Sequence, residues 1–144
     1  MAKVIVEPDE VIIPRWWDNM TGIITGALVG LVWYVSWIIL DQYALEPLAA
    51  GGVAHVISVT AGTLLLVRLF VARPLIISIG SMAILWTLGG ALVGLGWGET
   101  LIWSVGLFML SYGLLQLVAH VSKLWLAMAI TVGIVVVTQI VLAL

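Results

Sequence analysis

Over residues 21–144 charge is confined to Asp41, Glu46, Arg68, Arg73, Glu99 and Lys123, and long apolar runs fill the intervals between them. A soluble fold must turn many charges toward water, and this stretch has too few to cover a surface. The whole chain is 8% charged and 64% hydrophobic, against about 25% and 45–50% in soluble domains. A soluble enzyme, a nucleic-acid binder and a disordered tail are therefore excluded, and an all-α integral membrane protein is expected.

One membrane crossing takes roughly 20 apolar residues to bridge a hydrocarbon core of about 30 Å. The apolar runs supply five spans, over 21–40, 52–72, 75–97, 101–121 and 124–144, joined by short polar breaks. Connections this tight predict one compact bundle of antiparallel neighbours. Pro74 suits the start of the third span, because it lacks an N–H and disfavours helix at the residue before it.

Residues 1–20 are expected to form a cytoplasmic arm and an interfacial segment. Val4-Ile5-Val6 and Val11-Ile12-Ile13 flank a Pro-Asp turn, a pattern for a short extended or hairpin-like element. Polar Glu7-Pro8-Asp9-Glu10 interrupts any run that could serve as a signal peptide. Pro14-Arg15-Trp16-Trp17-Asp18-Asn19 then reads as a short helix at the water–lipid boundary.

Charge sets the expected orientation. Lys3, Arg15, Arg68, Arg73 and Lys123 all fall on one side of a five-span bundle, and Asp41, Glu46 and Glu99 fall on the other. Cytoplasmic loops carry the excess of Lys and Arg. The N-terminus is thus expected inside and the C-terminus outside, in the cytoplasmic (inner) membrane. Trp37, Trp97 and Trp103 then lie at the outer boundary and Trp16, Trp17 and Trp125 at the inner one. Trp33 lies about a turn deeper. Trp86 falls near mid-membrane, where its indole N–H needs an acceptor, and it is expected to pack against a neighbouring helix.

Small residues recur at helical spacing. Gly22, Gly26 and Gly30 form one stripe, Gly90 and Gly94 a second, and Ala129 and Gly133 a third. Such residues let helix backbones approach closely in lipid, so these are the expected packing faces, within the chain or between copies. Two of them sit in an internal echo. Residues 26–33, Gly-Ala-Leu-Val-Gly-Leu-Val-Trp, match residues 90–97, Gly-Ala-Leu-Val-Gly-Leu-Gly-Trp, at seven of eight positions. Duplication of a helical hairpin and convergence within a restricted alphabet both account for it.

Groups that carry chemistry are scarce. There is no Cys, hence no thiolate nucleophile, disulfide or Cys-based metal site. His55 and His120 are the only imidazoles. They are expected at opposite boundaries, some 20–25 Å apart at 1.5 Å per residue, too far to share a haem. Arg68 sits about a turn from the inner boundary, where its stem can snorkel or its head can meet a lipid headgroup or a substrate. Thr60, Thr63, Thr87, Ser111 and Tyr112, with Trp86, are the candidates for a polar site in the middle third of the bundle. Ser and Thr also bond the preceding turn of their own helix, so these residues equally suit a purely structural role.

The sequence therefore predicts a non-enzymatic accessory or scaffold subunit of a larger membrane complex, with no cofactor and no metal. The expected partners are lipid, further copies of the chain or other membrane subunits, and no nucleic acid. Two alternatives stand beside it. One is an oligomeric channel or facilitator for a small neutral solute, which needs Thr60, Thr63, Thr87 and Ser111 to face one cavity. The other is a lipid, quinone or pigment site around Trp86.

Overall fold

The computed structural model describes residues 15–43 and 46–144. Within them the chain is all-helical. Helix α1 covers Arg15–Gln42, α2 Pro47–Arg68, α3 Pro74–Ile84, α4 Leu88–Ala91, α5 Trp97–Ala119 and α6 Leu124–Ala143. Four of these, α1, α2, α5 and α6, are long and apolar enough to cross a membrane, whereas α3 is apolar but short. The extended arm expected over residues 1–13 lies outside the described residues.

Helix α1 has 28 residues, about 42 Å at 1.5 Å per residue. It absorbs the interfacial segment expected before the first span, because neither Pro nor Gly interrupts the chain between Arg15 and Gly22. Its buried face packs on α5 and α2. The approach to α5 is backbone on backbone: a Cβ on Gly26 would stand 2.5 Å from the Phe108 carbonyl oxygen and 2.8 Å from Met109 Cα. At Gly30 it would stand 2.8 Å from Val105 Cα, and at Gly22 it would run into the Gln116 side chain. Val29, Trp33, Leu66, Ile77, Phe108 and Leu115 are buried in the core that results.

The continuous third span expected over 75–97 does not form. Helix α3 stops after 11 residues, about 16 Å of rise. Leu85, Trp86 and Thr87 turn, the four-residue α4 follows, and the chain then unwinds to Gly96. Hydropathy misses the reason. Gly89, Gly90, Gly94, Gly96 and Gly98 crowd this stretch, and each Gly weakens a helix by roughly 1 kcal/mol relative to Ala. Gly94 adopts φ +90°, a conformation closed to most side chains.

Polar side chains bind the broken segment to its neighbours. Nε2 of Gln139 on α6 donates to the carbonyls of Ala83 and Ile84 at 3.0 and 3.2 Å, satisfying acceptors at the end of α3. Ser81 and Ser111 share a hydroxyl–hydroxyl bond of 2.5 Å. At the other end of α3, Arg73 donates through Nη1 to the Val121 carbonyl at 2.6 Å and through Nη2 to Ser122 at 3.1 Å. The turn between α2 and α3 is thereby clamped to the turn between α5 and α6. Arg73 itself is left-handed, with φ 53° and ψ 55°. That backbone costs about 1–2 kcal/mol, which charge-assisted bonds worth roughly 1.5–3 kcal/mol each offset.

Helix α6 is peripheral. It touches α3 and α5, and Ala127 is its buried residue. An apolar groove of about 370 Å³ runs between α3 and α6, bordered by Ile76, Ile79, Gly80, Met128, Thr131 and Val135 among others.

Candidate functional site

Helix α2 begins at Pro47, five residues before the expected start. Proline suits the first turn of a helix, where its missing N–H would have no partner in any case. The earlier start carries His55 into the third turn of α2. Its side chain is 0% exposed, packed inside the bundle rather than on its surface. His120 instead lies exposed at the end of α5, with Nδ1 2.7 Å from the Gln116 carbonyl.

Aromatic rings enclose His55. Trp86 stacks on the imidazole, with centroids 5.9 Å apart and planes 15° apart. Trp33 and Phe108 tilt against it at 5.6 and 6.1 Å. Trp33 in turn stacks on Trp37 at 5.7 Å. Three pieces of chain far apart in sequence supply the cage: α1, α5 and the turn where α3 breaks.

The peptide groups of Leu85 and Trp86 face the imidazole, but neither ring nitrogen reaches a hydrogen-bond partner among the described residues. A buried polar group left unpaired costs roughly 1–3 kcal/mol. An ionisable side chain in the interior of a membrane bundle marks a functional site by default. Thr25, Trp33, Trp37, Thr63, Ser78 and Gln116 also bury polar atoms without a partner among the described residues, but His55 is the ionisable group among them and lies beside the helix break. The sequence signal that would have found it is Glu46-Pro47 as a helix start.

The remaining candidate residues do not meet at one point. Thr60 is exposed on α2 and bonds the Val56 carbonyl of its own helix at 3.0 Å. The Thr63 hydroxyl is buried without a partner among the described residues. Ser111, besides meeting Ser81, donates to the Phe108 carbonyl at 3.2 Å. Tyr112 is buried, with its hydroxyl over Gly62. Thr87 lines a groove with Gly90, Ala91 and Gln139, whereas Trp86, 45% exposed, lines another against α2. Arg68 is exposed in the last turn of α2.

The small residues also differ in their surroundings. Gly22, Gly26 and Gly30 face α5, as described above. A Cβ on Gly90, Gly94 or Gly133 would meet nothing within 4 Å, and Ala129 is exposed. The second stripe cannot act as a helix face, because the helix that would display it has unwound by Gly94. Among the described residues, no group of three or more His, Cys, Asp or Glu is placed to hold a metal ion. Comparison of the chain with protein-family models, with curated proteins and with solved structures finds no match.

Proposed function

We propose that the chain is a non-enzymatic subunit of a larger membrane complex, crossing the cytoplasmic membrane five times with its N-terminus inside. Two contacts support five crossings. Arg73 joins the turn before α3 to the turn before α6. At the opposite end, Leu92, Gly94 and Trp97 border a cavity of about 200 Å³ with Trp37, Asp41 and Gln42. On this reading the chain travels from one end of the bundle to the other between α2 and α5, with α3 and α4 as a third crossing broken midway. Arg68, Arg73 and Lys123 then share the cytoplasmic end, as the positive-inside rule requires.

The observation that carries the subunit reading is the outer surface of α6. Ala129 and Gly133 lie on it one turn apart, exposed, with nothing within 4 Å of the Gly133 Cβ position. Small residues gain little from lipid but allow another helix to approach closely. The same kind of stripe on α1 is filled by α5 of the same chain, so α6 offers an equivalent surface to a second protein.

Purification in mild detergent, with mass spectrometry of the intact assembly, tests this reading. A stoichiometric membrane partner is expected, and Gly133→Leu is expected to release it while the melting temperature stays unchanged. Purification of the chain alone and monomeric sinks the proposal. Deleting residues 1–13 asks separately whether the N-terminal arm contributes to partner binding. The channel reading lacks comparable support, since Thr60 faces outward and Thr87 lines a groove apart from buried Ser111.

A further inference from the structure

Beside Trp86 a groove of about 440 Å³ opens on the surface of α2, lined by Glu46, Ala49, Gly52, Val53, Val56 and Trp86. Trp86 borders this groove on one side and stacks on His55 on the other. The indole thus stands between the exposed groove and a fully buried imidazole, which the Leu85 and Trp86 peptide groups face but whose nitrogens make no well-formed hydrogen bond among the described residues. We propose that this is a binding site for a planar ring carrying hydrogen-bonding oxygens and dissolved in the lipid, a molecule of the quinone class, with Trp86 as its displaceable cover and His55 as its polar anchor. The inference rests on the chain spanning the membrane and is independent of any protein partner.

Shape, polarity and access each point the same way. The slot beside the imidazole already holds a flat ring, stacked within 15° of parallel. Trp86 sits between α3 and α4, outside either helix, so it can swing away without breaking a run of helical hydrogen bonds. A neutral imidazole offers one N–H donor and one acceptor nitrogen. A ring carbonyl accepts from the first and a ring hydroxyl donates to the second, whereas a hydrocarbon chain does neither. Apart from Glu46 at one end, the groove is walled by small and apolar residues, and Ala49 and Gly52 leave room along α2 for an apolar tail. A Cβ on Gly52 would stand 3.8 Å from Trp86 Cη2, in ordinary contact, so the indole lies directly against this part of α2.

The test uses the full-length protein in phosphatidylcholine nanodiscs, titrated with decyl-benzoquinone and, separately, with decylbenzene, which has the same tail and no ring oxygen. Tryptophan quenching reads quinone binding, and displacement of bound quinone reads decylbenzene. Saturable quinone binding is expected, with decylbenzene weaker by about tenfold or more, the scale of a lost buried hydrogen bond. His55→Leu is expected to weaken quinone binding by a similar factor, and Trp86→Ala to leave it equal or tighter. Equal binding of the two probes, unchanged binding to His55→Leu, or no saturable binding overturns the proposal. Should His55→Leu fail to fold, the imidazole nitrogen chemical shifts of the parent protein decide, assigned with His120→Asn. A shift of the His55 signals on adding quinone supports the site, and fixed signals overturn it.

Discussion

Residues 26–33 and 90–97 share seven of eight amino acids and have different structures. The first copy is continuous helix inside α1; the second passes from α4 through a turn into the first residue of α5. Trp33 ends the first copy fully buried, whereas Trp97 ends the second 71% exposed. Propensity accounts for part of this: both carry the same two glycines at the same spacing, and the second adds Gly96 and is flanked by Gly89 and Gly98. The neighbours account for the rest. Gly26 and Gly30 press on the backbone of α5, while the positions above Gly90 and Gly94 are empty. Close packing gained along α5 offsets the entropy that glycine loses in a helix; without that contact the same residues unwind. The residue just after the first copy meets the end of the second: the hydroxyl of Tyr34 donates to the Trp97 carbonyl at 3.1 Å.

The sharpest way to break the comparison is Gly26→Ala. Its Cβ would collide with backbone atoms that have no rotamer to change, so a loss of about 3 kcal/mol is expected, seen as a lower melting temperature in detergent. Gln139→Leu probes what holds the second copy away from a continuous helix. It strips the donor from the Ala83 and Ile84 carbonyls, and a loss of about 2 kcal/mol should accompany faster amide exchange around Leu88. Gly94→Ala meets open space but a left-handed backbone, and should cost about 1 kcal/mol in the same melting assay. Gly90→Ala meets open space within α4 and is expected to stabilise by about 0.5 kcal/mol. Gly96→Val is the smallest and most pointed test, because it makes the two octapeptides identical. Gly96 has φ −66° and ψ 160°, which valine adopts freely. A shift below about 0.5 kcal/mol is expected, with residues 92–96 still non-helical by amide exchange. Helix formation there would show that sequence, not packing, separates the copies.

Much of the helical framework was legible from charge and hydropathy. The fourth and fifth apolar runs, 101–121 and 124–144, correspond to α5 at 97–119 and α6 at 124–143. Apolar runs report burial in lipid, however, and carry no information about what a helix packs against. That is why 75–97 read as one span: its residues are apolar enough, and the missing contacts at Gly90 and Gly94 are a property of the folded bundle. The burial of His55 is illegible for a different reason. Helix α2 starts at Pro47, ahead of the apolar run, and places His55 in its third turn, on a face covered by other helices. The cage around it combines Trp33, Trp86 and Phe108, and no local spacing relates those three positions.

Arg73 and α3 also have a consequence for the order in which the protein is made. Every side-chain hydrogen bond described here between Arg73 or α3 and the rest of the bundle joins it to a residue synthesised later: Ser111, Val121, Ser122 and Gln139. A helix with about 16 Å of rise cannot bridge a core of about 30 Å unaided. The third segment therefore leaves the ribosome with α2 to pack against but without its hydrogen-bond partners, and it locks only when α5 and α6 have followed it into the bilayer. The chain has no cysteine, so a single cysteine at position 84 would report that interval. In nascent chains arrested before α5 it should react with a water-soluble maleimide, and in the finished protein it should be protected.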